Sequence, residues 1–256
     1  MSNRKLILVT NDDGITAPGI LFLSNLAKEF GDVCVIAPDK PQSGMSNAIT
    51  LNSTLRIEES TLHKVYKEYS CSGTPVDCVK MGVNNFLDRK PDLVISGINH
   101  GSNLSINVIY SGTMSAAIEG AIEGIPSIGF SLSDFSINAD FSQAENIIKN
   151  IITKVLAGDF KETFCLNVNI PKLKADEIQG VKVCRAAKGN WIEEFDERQD
   201  PSGRPYYWLT GKFVNFEEGN PETDLYLNTA GYVTIVPVDF DMTNHTQVKK
   251  FSSFFD

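Results

Sequence analysis

Two adjacent carboxylates, Asp12 and Asp13, stand where an apolar run stops, in the order Lys5-Leu-Ile-Leu-Val-Thr-Asn-Asp-Asp-Gly14. Leu6 to Val9 reads as a buried strand. Neighbouring carboxylates repel each other unless a cation lies between them. Gly14 lets the chain turn sharply just beyond them. In open α/β sheets, ligands gather at the carboxyl ends of the strands. The segment therefore reads as a hard-cation site, with oxygen ligands suited to magnesium, manganese or calcium. Asn, Asp and Gly also form ordinary turns, so the segment alone leaves a plain turn open.

Other segments carry matching chemistry. Pro38-Asp-Lys-Pro-Gln-Ser-Gly-Met-Ser-Asn47 follows a strand-like run, and so does Gly97-Ile-Asn-His-Gly-Ser-Asn103. The latter continues through Tyr110-Ser-Gly-Thr113 into a helix. In a parallel sheet these loops reach the same edge as the aspartates. Ser43, Asn47, Asn99, Ser111 and Thr113 then converge there as oxygen ligands and hydrogen-bond donors, as a metal–phosphate site requires. A Ser-Gly-Thr turn opening a helix exposes free N–H groups at the positive end of the dipole and so forms an anion site. The bland alternative is a simple N-cap by Ser111 or Thr113. Ser72-Gly73-Thr74-Pro75 is a similar turn and reads as structural, with Pro75 at a first helical position. His100, beside Asn99, is an acid or base candidate in an outer role.

These loops need a scaffold, and the first half of the chain supplies an alternating pattern. Strands are expected at Lys5–Thr10, Val33–Ala37, Asp92–Ser96, Ser127–Ser131 and Phe164–Val168, and helices at Ala17–Phe30, Pro75–Phe86, Thr113–Glu123 and Phe141–Leu156. Two short antiparallel strands are expected within Thr54–Glu58 and Lys64–Tyr69. The predicted fold class is α/β, a Rossmann-like, mostly parallel sheet with helices on both faces. A late strand is expected at Tyr232–Pro237, and a hairpin near Tyr206–Phe213 within an aromatic and charged extension.

Composition narrows the function. A chain of 256 residues with 42% hydrophobic residues suits one large domain. Its net charge of −9 disfavours a nucleic-acid scaffold. Five cysteines without a Cys-x-x-Cys, and three scattered histidines, favour neither a disulfide framework nor a zinc centre. No apolar run is long enough to span a bilayer, and Met1-Ser-Asn-Arg-Lys leads directly into the first strand. The expected location is the cytoplasm, with the sequons at Asn52, Asn103 and Asn244 as chance matches. Neither a Gly-x-Gly-x-x-Gly after a strand nor a Walker A lysine motif is present.

Four ordered motifs carry a resemblance. Asn11-Asp-Asp-Gly-Ile-x-Ala-Pro-Gly19, Ala37-Pro-Asp-x-x-x-Ser-Gly44, Ser96-Gly-Ile-Asn-x-Gly-x-Asn103 and Tyr110-Ser-Gly-Thr113 resemble those of the SurE family of metal-dependent 5′/3′-nucleotidases. The match is dense from Lys5 to Ser131 and thinner, through Asn167-x-Asn-x-Pro171, Thr223-Asp224 and Gly231-Tyr-Val-Thr234, to Pro237. The resemblance implies one divalent cation, Mg2+ or Mn2+, held by Asp12, Asp13, Ser43 and Asn99. It implies a phosphate lined by Gly44, Asn47, Asn99, Ser111, Gly112 and Thr113. It also implies a homodimer or homotetramer, with residues 188–222 and 240–256 as extensions of a single domain spanning 1–256.

The expectation is therefore a phosphomonoesterase acting on nucleoside monophosphates through metal-activated water, with Asp12 and Asp13 as catalytic residues. An exopolyphosphatase sharing the site, or a non-catalytic nucleotide or anion sensor, is the alternative. Carboxylates claimed by a metal are poor nucleophiles, so direct attack by water is favoured over a phospho-aspartate.

Overall fold

The computed structural model describes residues 4–160 and 162–255. The chain begins β1 (Lys5–Thr10), α1 (Pro18–Ala27), β2 (Gly31–Pro38), β3 (Ile57–Glu59), β4 (Lys67–Cys71) and α2 (Pro75–Met81). A π-helical turn, Gly82–Phe86, extends α2, and β5 (Leu93–His100), α3 (Asn107–Tyr110), α4 (Gly112–Ile122) and β6 (Ser127–Leu132) follow. After a 3-10 turn come α5 (Glu145–Ala157), β7 (Cys165–Ile170), β8 (Val181–Val183), β9 (Gly189–Gln199) and β10 (Pro205–Asn215). The described chain closes with α6 (Asp224–Thr229), β11 (Val233–Val238) and α7 (His245–Phe255).

Nine strands form one sheet in the order β3-β4-β2-β1-β5-β6-β7-β11-β8. The six from β4 to β7 run parallel. β3 is antiparallel to β4, as the alternation in that segment predicts, and β11 is antiparallel to β7. Chain order reverses at β1: β2 and β4 lie on one side, β5 to β7 on the other. The crevice beyond β1 and β5 is the topological switch point, where such sheets bind ligands.

Period-two alternation in β1 builds both faces. Ile7 and Val9 pack with Leu23 of α1 and with Ile148, Ile151 and Ile152 of α5. Leu8 packs with Val79 of α2 and Ala116 of α4 on the other face. The three α5 isoleucines sit at i, i+3 and i+4, so one stripe of that helix is buried.

The carboxyl-terminal third differs in detail from the expectation. β9 and β10 form a separate two-stranded hairpin whose pairing runs from Gly189↔Asn215 to Gln199↔Pro205. Tyr206–Phe213 is its returning strand, not the whole hairpin. The turn lies upstream, where the Asp200 carboxylate accepts the N–H groups of Ser202 (2.8 Å) and Arg204 (3.0 Å). The far half of the hairpin and all of α7 are exposed, including Trp208, Leu209, Phe254 and Phe255.

Asp224, fully buried at the start of α6, ties three segments together. Its carboxylate accepts the N–H groups of Ser105, Ala187 and Leu225, each at 2.8 Å. Asp224→Ala should therefore strand two buried donors, Ser105 and Ala187, besides the half-buried Leu225, at about 1–3 kcal/mol for each buried group where nothing replaces the bond. A Tm lower by about 4–24 °C is expected in a thermal melt. A Tm within about 2 °C of the parent protein would show that the ties carry no weight.

Candidate active site

Every sequence-derived candidate lies at the carboxyl edge of the sheet or in the loop leaving it. Asp12 and Asp13 follow β1, and Ser43, Gly44 and Asn47 lie in the loop after β2. Asn99 is near the end of β5, and Ser111, Gly112 and Thr113 begin α4. Gly14, with φ of +95°, turns the chain just past the aspartates. Few side chains tolerate that conformation.

Four contacts draw these loops around the aspartates. The Gln42 N–H donates to the Asp12 carbonyl oxygen (2.7 Å), which brings the Ser43 loop alongside β1. The His100 N–H donates to Asp13 Oδ2 at 3.4 Å. Thr113 Oγ1 donates to Asp12 Oδ1. Gly112 lies so close that a Cβ there would stand 2.7 Å from Asp12 Cβ and 2.9 Å from Asp12 Oδ2. Only glycine lets α4 begin at this distance.

Ser111 is the N-cap of α4, its Oγ accepting the Met114 N–H at 3.0 Å. The cap and the anion site are compatible, because accepting that bond leaves the hydroxyl proton free to donate. The Thr113 hydroxyl, by contrast, is committed to Asp12 rather than to the helix end. Asn99 Nδ2 donates to the Gly101 carbonyl (2.8 Å), which orients the amide and leaves its oxygen outside that bond. Ser43 and Asn47 stand exposed on their loop. Among the described residues, no hydrogen bond joins either side chain to the aspartates.

The electrostatics describe a place short of positive charge. Burial pushes the Asp12 carboxyl up to about 6; the Thr113 hydrogen bond opposes that shift and the Asp13 charge adds to it. Burial also raises Asp13, against the pull of His100. Asn11, not among the candidates, keeps a buried Oδ1 with no partner, while its Nδ2 donates to the Gly14 carbonyl at 3.0 Å. Among the described residues no group of three or more His, Cys, Asp or Glu side chains gathers as a metal cluster. The donors are instead two carboxylates and neutral oxygens, a set that fits magnesium or manganese rather than zinc.

His100 sits beside Asp13 with its Nδ1 2.9 Å from the Ser136 carbonyl and its ring edge-on to Phe141. Asp224 and three buried asparagines entered the sequence reading only as parts of the resemblance, without a role. Asn167 Nδ2 donates to the Asn103 carbonyl (2.7 Å), and the Asn103 N–H donates to Asn169 Oδ1 (2.7 Å). They hold the loop between Asn99 and Ser111. The paired asparagines in Asn167-x-Asn169 were the available signal, since polar side chains inside a strand need partners.

Fold and geometry together define a Rossmann-like α/β protein with an oxygen-rich cluster of side chains and a helix start at its switch point. The family model for survival protein SurE matches residues 7–193. The chain is 60% identical to the 5′-nucleotidase SurE of Christiangramia forsetii over 99% of this chain and 98% of that one. It is 54% identical to the 5′-nucleotidase SurE of Flavobacterium psychrophilum, over 98% of each chain. The crystal structure of the SurE protein from Aquifex aeolicus superposes with a TM-score of 0.84 at 38% identity, covering 98% of this chain and all of that one. The chain belongs to the survival protein SurE family.

Asp12→Asn removes a buried charge whose carboxyl is raised from 3.8 to about 6. A carboxyl raised on folding destabilises the folded state as pH rises through the interval between those values, and fully above it. Without metal at pH 7.5 the variant should therefore be more stable, by up to roughly 3 kcal/mol. It should also lose the Tm rise that Mn2+ gives the parent, whose own Mn2+ affinity should weaken below about pH 6 as Asp12 takes up a proton. Thermal melts with and without Mn2+ read both effects. An undiminished Mn2+ shift in the variant would remove Asp12 from the ligand set.

Proposed function

We propose that the protein is a metal-dependent phosphomonoesterase that hydrolyses nucleoside monophosphates to nucleoside and phosphate. The observation that carries this is the meeting of the aspartate pair with the start of α4, through Thr113 and Gly112. Carboxylates alone repel a phosphate, and a helix start alone only binds it. The relatives quoted above, named as 5′-nucleotidases, support the same reading.

Asp12, Asp13, Asn99 and Ser43 hold one divalent cation, magnesium or manganese. When bound, the cation supplies positive charge to a phosphate oxygen and makes a nearby water more acidic. The N–H groups of Gly112 and Thr113 and the hydroxyl of Ser111 donate to the phosphate oxygens as charge builds on them. Gly44 and Asn47 close the other side of the phosphate. Thr113 positions Asp12 through its hydroxyl, and Asp12, buried and bonded to Thr113, is held away from the role of a nucleophile. Water attacks phosphorus directly and the nucleoside leaves with its oxygen.

Assembly is the second part of the reading. Phe195, Trp208 and Leu209 on the hairpin, Met242 ahead of α7, and Phe254 and Phe255 on α7 form apolar surfaces of a kind that proteins cover. A homodimer or homotetramer built through these extensions covers them. Among the described residues no helix is long and apolar enough to cross a membrane. All five cysteines are unpaired, which fits a cytoplasmic location.

Asp13→Asn should lower phosphate release from AMP at saturating Mn2+ by at least ~100-fold while keeping the parent's circular dichroism spectrum, the scale of loss for a charge-stabilising group. Near-normal turnover would reject the aspartate pair as the metal site. Light scattering at micromolar concentration should give the mass of a dimer or tetramer of the 28.2 kDa chain. A monomer would reject the assembly surfaces.

A further inference from the structure

Cys71 and Cys78 face each other beneath the loop that carries Ser43 and Asn47. Both are fully buried, Cys71 at the end of β4 and Cys78 in α2. Their sulfurs lie in hydrogen-bonding contact, with the Cys78 thiol as donor. That bond pulls the Cys71 thiol below its usual range against its burial, and the Gly73 N–H, donated to Cys71 Sγ at 3.3 Å, works the same way. Burial pushes Cys78 well above that range. Cys34 and Cys165 are buried as well, and burial pushes each up to about 12. Thiols of that kind are inert. Cys71 differs from them in having a second thiol as its partner.

The corner between the two cysteines is the seat of that loop. Residues 39–56, from β2 to β3, are irregular and take their order from outside. The Asp39 N–H donates to the Cys71 carbonyl (2.7 Å), the Arg56 N–H donates to Ser72 Oγ (2.9 Å), and Thr74 Oγ1 donates to the Ala48 carbonyl (2.7 Å). Thr50 donates to the Asp77 carboxylate through its N–H (3.1 Å) and its hydroxyl (2.6 Å). Leu55 packs on the apolar cluster that contains both thiols. The segment from Cys71 to Asp77 therefore holds the loop at both ends and in its middle. A shift of that segment moves Ser43, Gly44 and Asn47 with it.

We propose that Cys71 and Cys78 are a modification site: hydrogen peroxide oxidises the pair to a disulfide, which unseats the 39–56 loop and slows turnover at the phosphate site until a thiol reduces it. The slowing rests on the nucleotidase reading above; the disulfide does not. The Cys71 thiolate attacks one peroxide oxygen. The O–O bond breaks, hydroxide leaves and forms water with the proton that the thiol released, and Cys71 becomes a sulfenic acid. The Cys78 sulfur then attacks the Cys71 sulfur. The S–S bond forms, the S–O bond breaks, and the departing hydroxide takes the Cys78 proton as a second water. In all, two thiols lose two electrons and one peroxide gains them. A covalent bond is shorter than a hydrogen-bonded contact, so the corner has to contract. Peroxide is little larger than water and reaches the pair when the irregular loop opens locally.

The test treats the full chain carrying Cys184→Ser, whose other cysteines are all buried, with hydrogen peroxide. Peptide mapping by mass should show a Cys71–Cys78 link. Hydrogen exchange should rise across residues 39–56 and stay unchanged in β6. In the presence of Mn2+, kcat/KM for AMP should fall by about 10- to 100-fold, the scale of an ångström-sized misplacement. Dithiothreitol should reverse every change. With Cys71→Ala added, which removes the attacking sulfur, turnover should survive the same treatment. Thiols left unlinked by peroxide would overturn the assignment. So would a link that leaves exchange in 39–56 or turnover unchanged, or an equal loss of turnover with Cys71→Ala added. Mapping and exchange are read without that variant, so its failure to fold leaves the test intact. If the reduced protein hydrolyses no AMP, the nucleotidase reading fails, and mapping and exchange still decide the site: both changes together support it, and either one missing overturns it.

Discussion

Two carboxylates are forced together at the mouth of a buried strand, and much of the surrounding structure answers that repulsion. Water cannot screen Asp12, because β1 emerges at the centre of the sheet and α4 lies against it. The protein supplies partial positive charge instead: the Thr113 hydroxyl, the first turn of α4 and the His100 N–H all converge on the pair. These contributions are dipolar and leave the Asp12 carboxyl raised. The same dipoles that hold the pair without metal are those a phosphate would meet with it. The cation and anion sites proposed above are therefore one electrostatic arrangement, built where chain order reverses and two loops part.

Keeping that arrangement in register is the task of residues far away in the chain. The segment from Asn99 to Ser111 is irregular apart from the single turn of α3, and it is tied down from outside. Asn103 is gripped by Asn167 and Asn169 from β7, while Ser105 is gripped by Asp224. Asp224 also holds Ala187, just ahead of the hairpin. The loop leading to Ser111 and the segment entering the hairpin are thus fastened to one buried carboxylate.

How much of this was legible in the sequence varied along the chain for physical reasons. The parallel half announced itself, because strands buried on both faces are continuous apolar runs, and Leu6–Val9, Val33–Ala37 and Leu93–Ile95 are such runs. The site candidates followed from strand exits, which a parallel sheet must bring to one edge. The last third was less legible. β8 is three residues long, too short for a period to register. The hairpin strands carry aromatics on both sides, so alternation was blurred and the turn at Asp200–Arg204 was placed too late. α7 carries Val248, Phe251 and Phe255 at i, i+3 and i+7, an apolar stripe that the sequence reading left without a helix assignment and that stays exposed in the single chain. The bond from Thr113 to Asp12 joins residues 101 positions apart, which no local pattern encodes. Ser111, read as cap or anion donor, is a cap whose proton is still available.

The hairpin has one further consequence. Its two arms of eleven residues reach about 36 Å when extended. A two-stranded ribbon of that kind is at best marginal alone in water. Whatever covers it lends it order, and lent order obeys mass action. If further copies of the chain provide that cover, as proposed above, dilution acts on the ribbon as a mild denaturant would, leaving the sheet and the aspartate pair untouched.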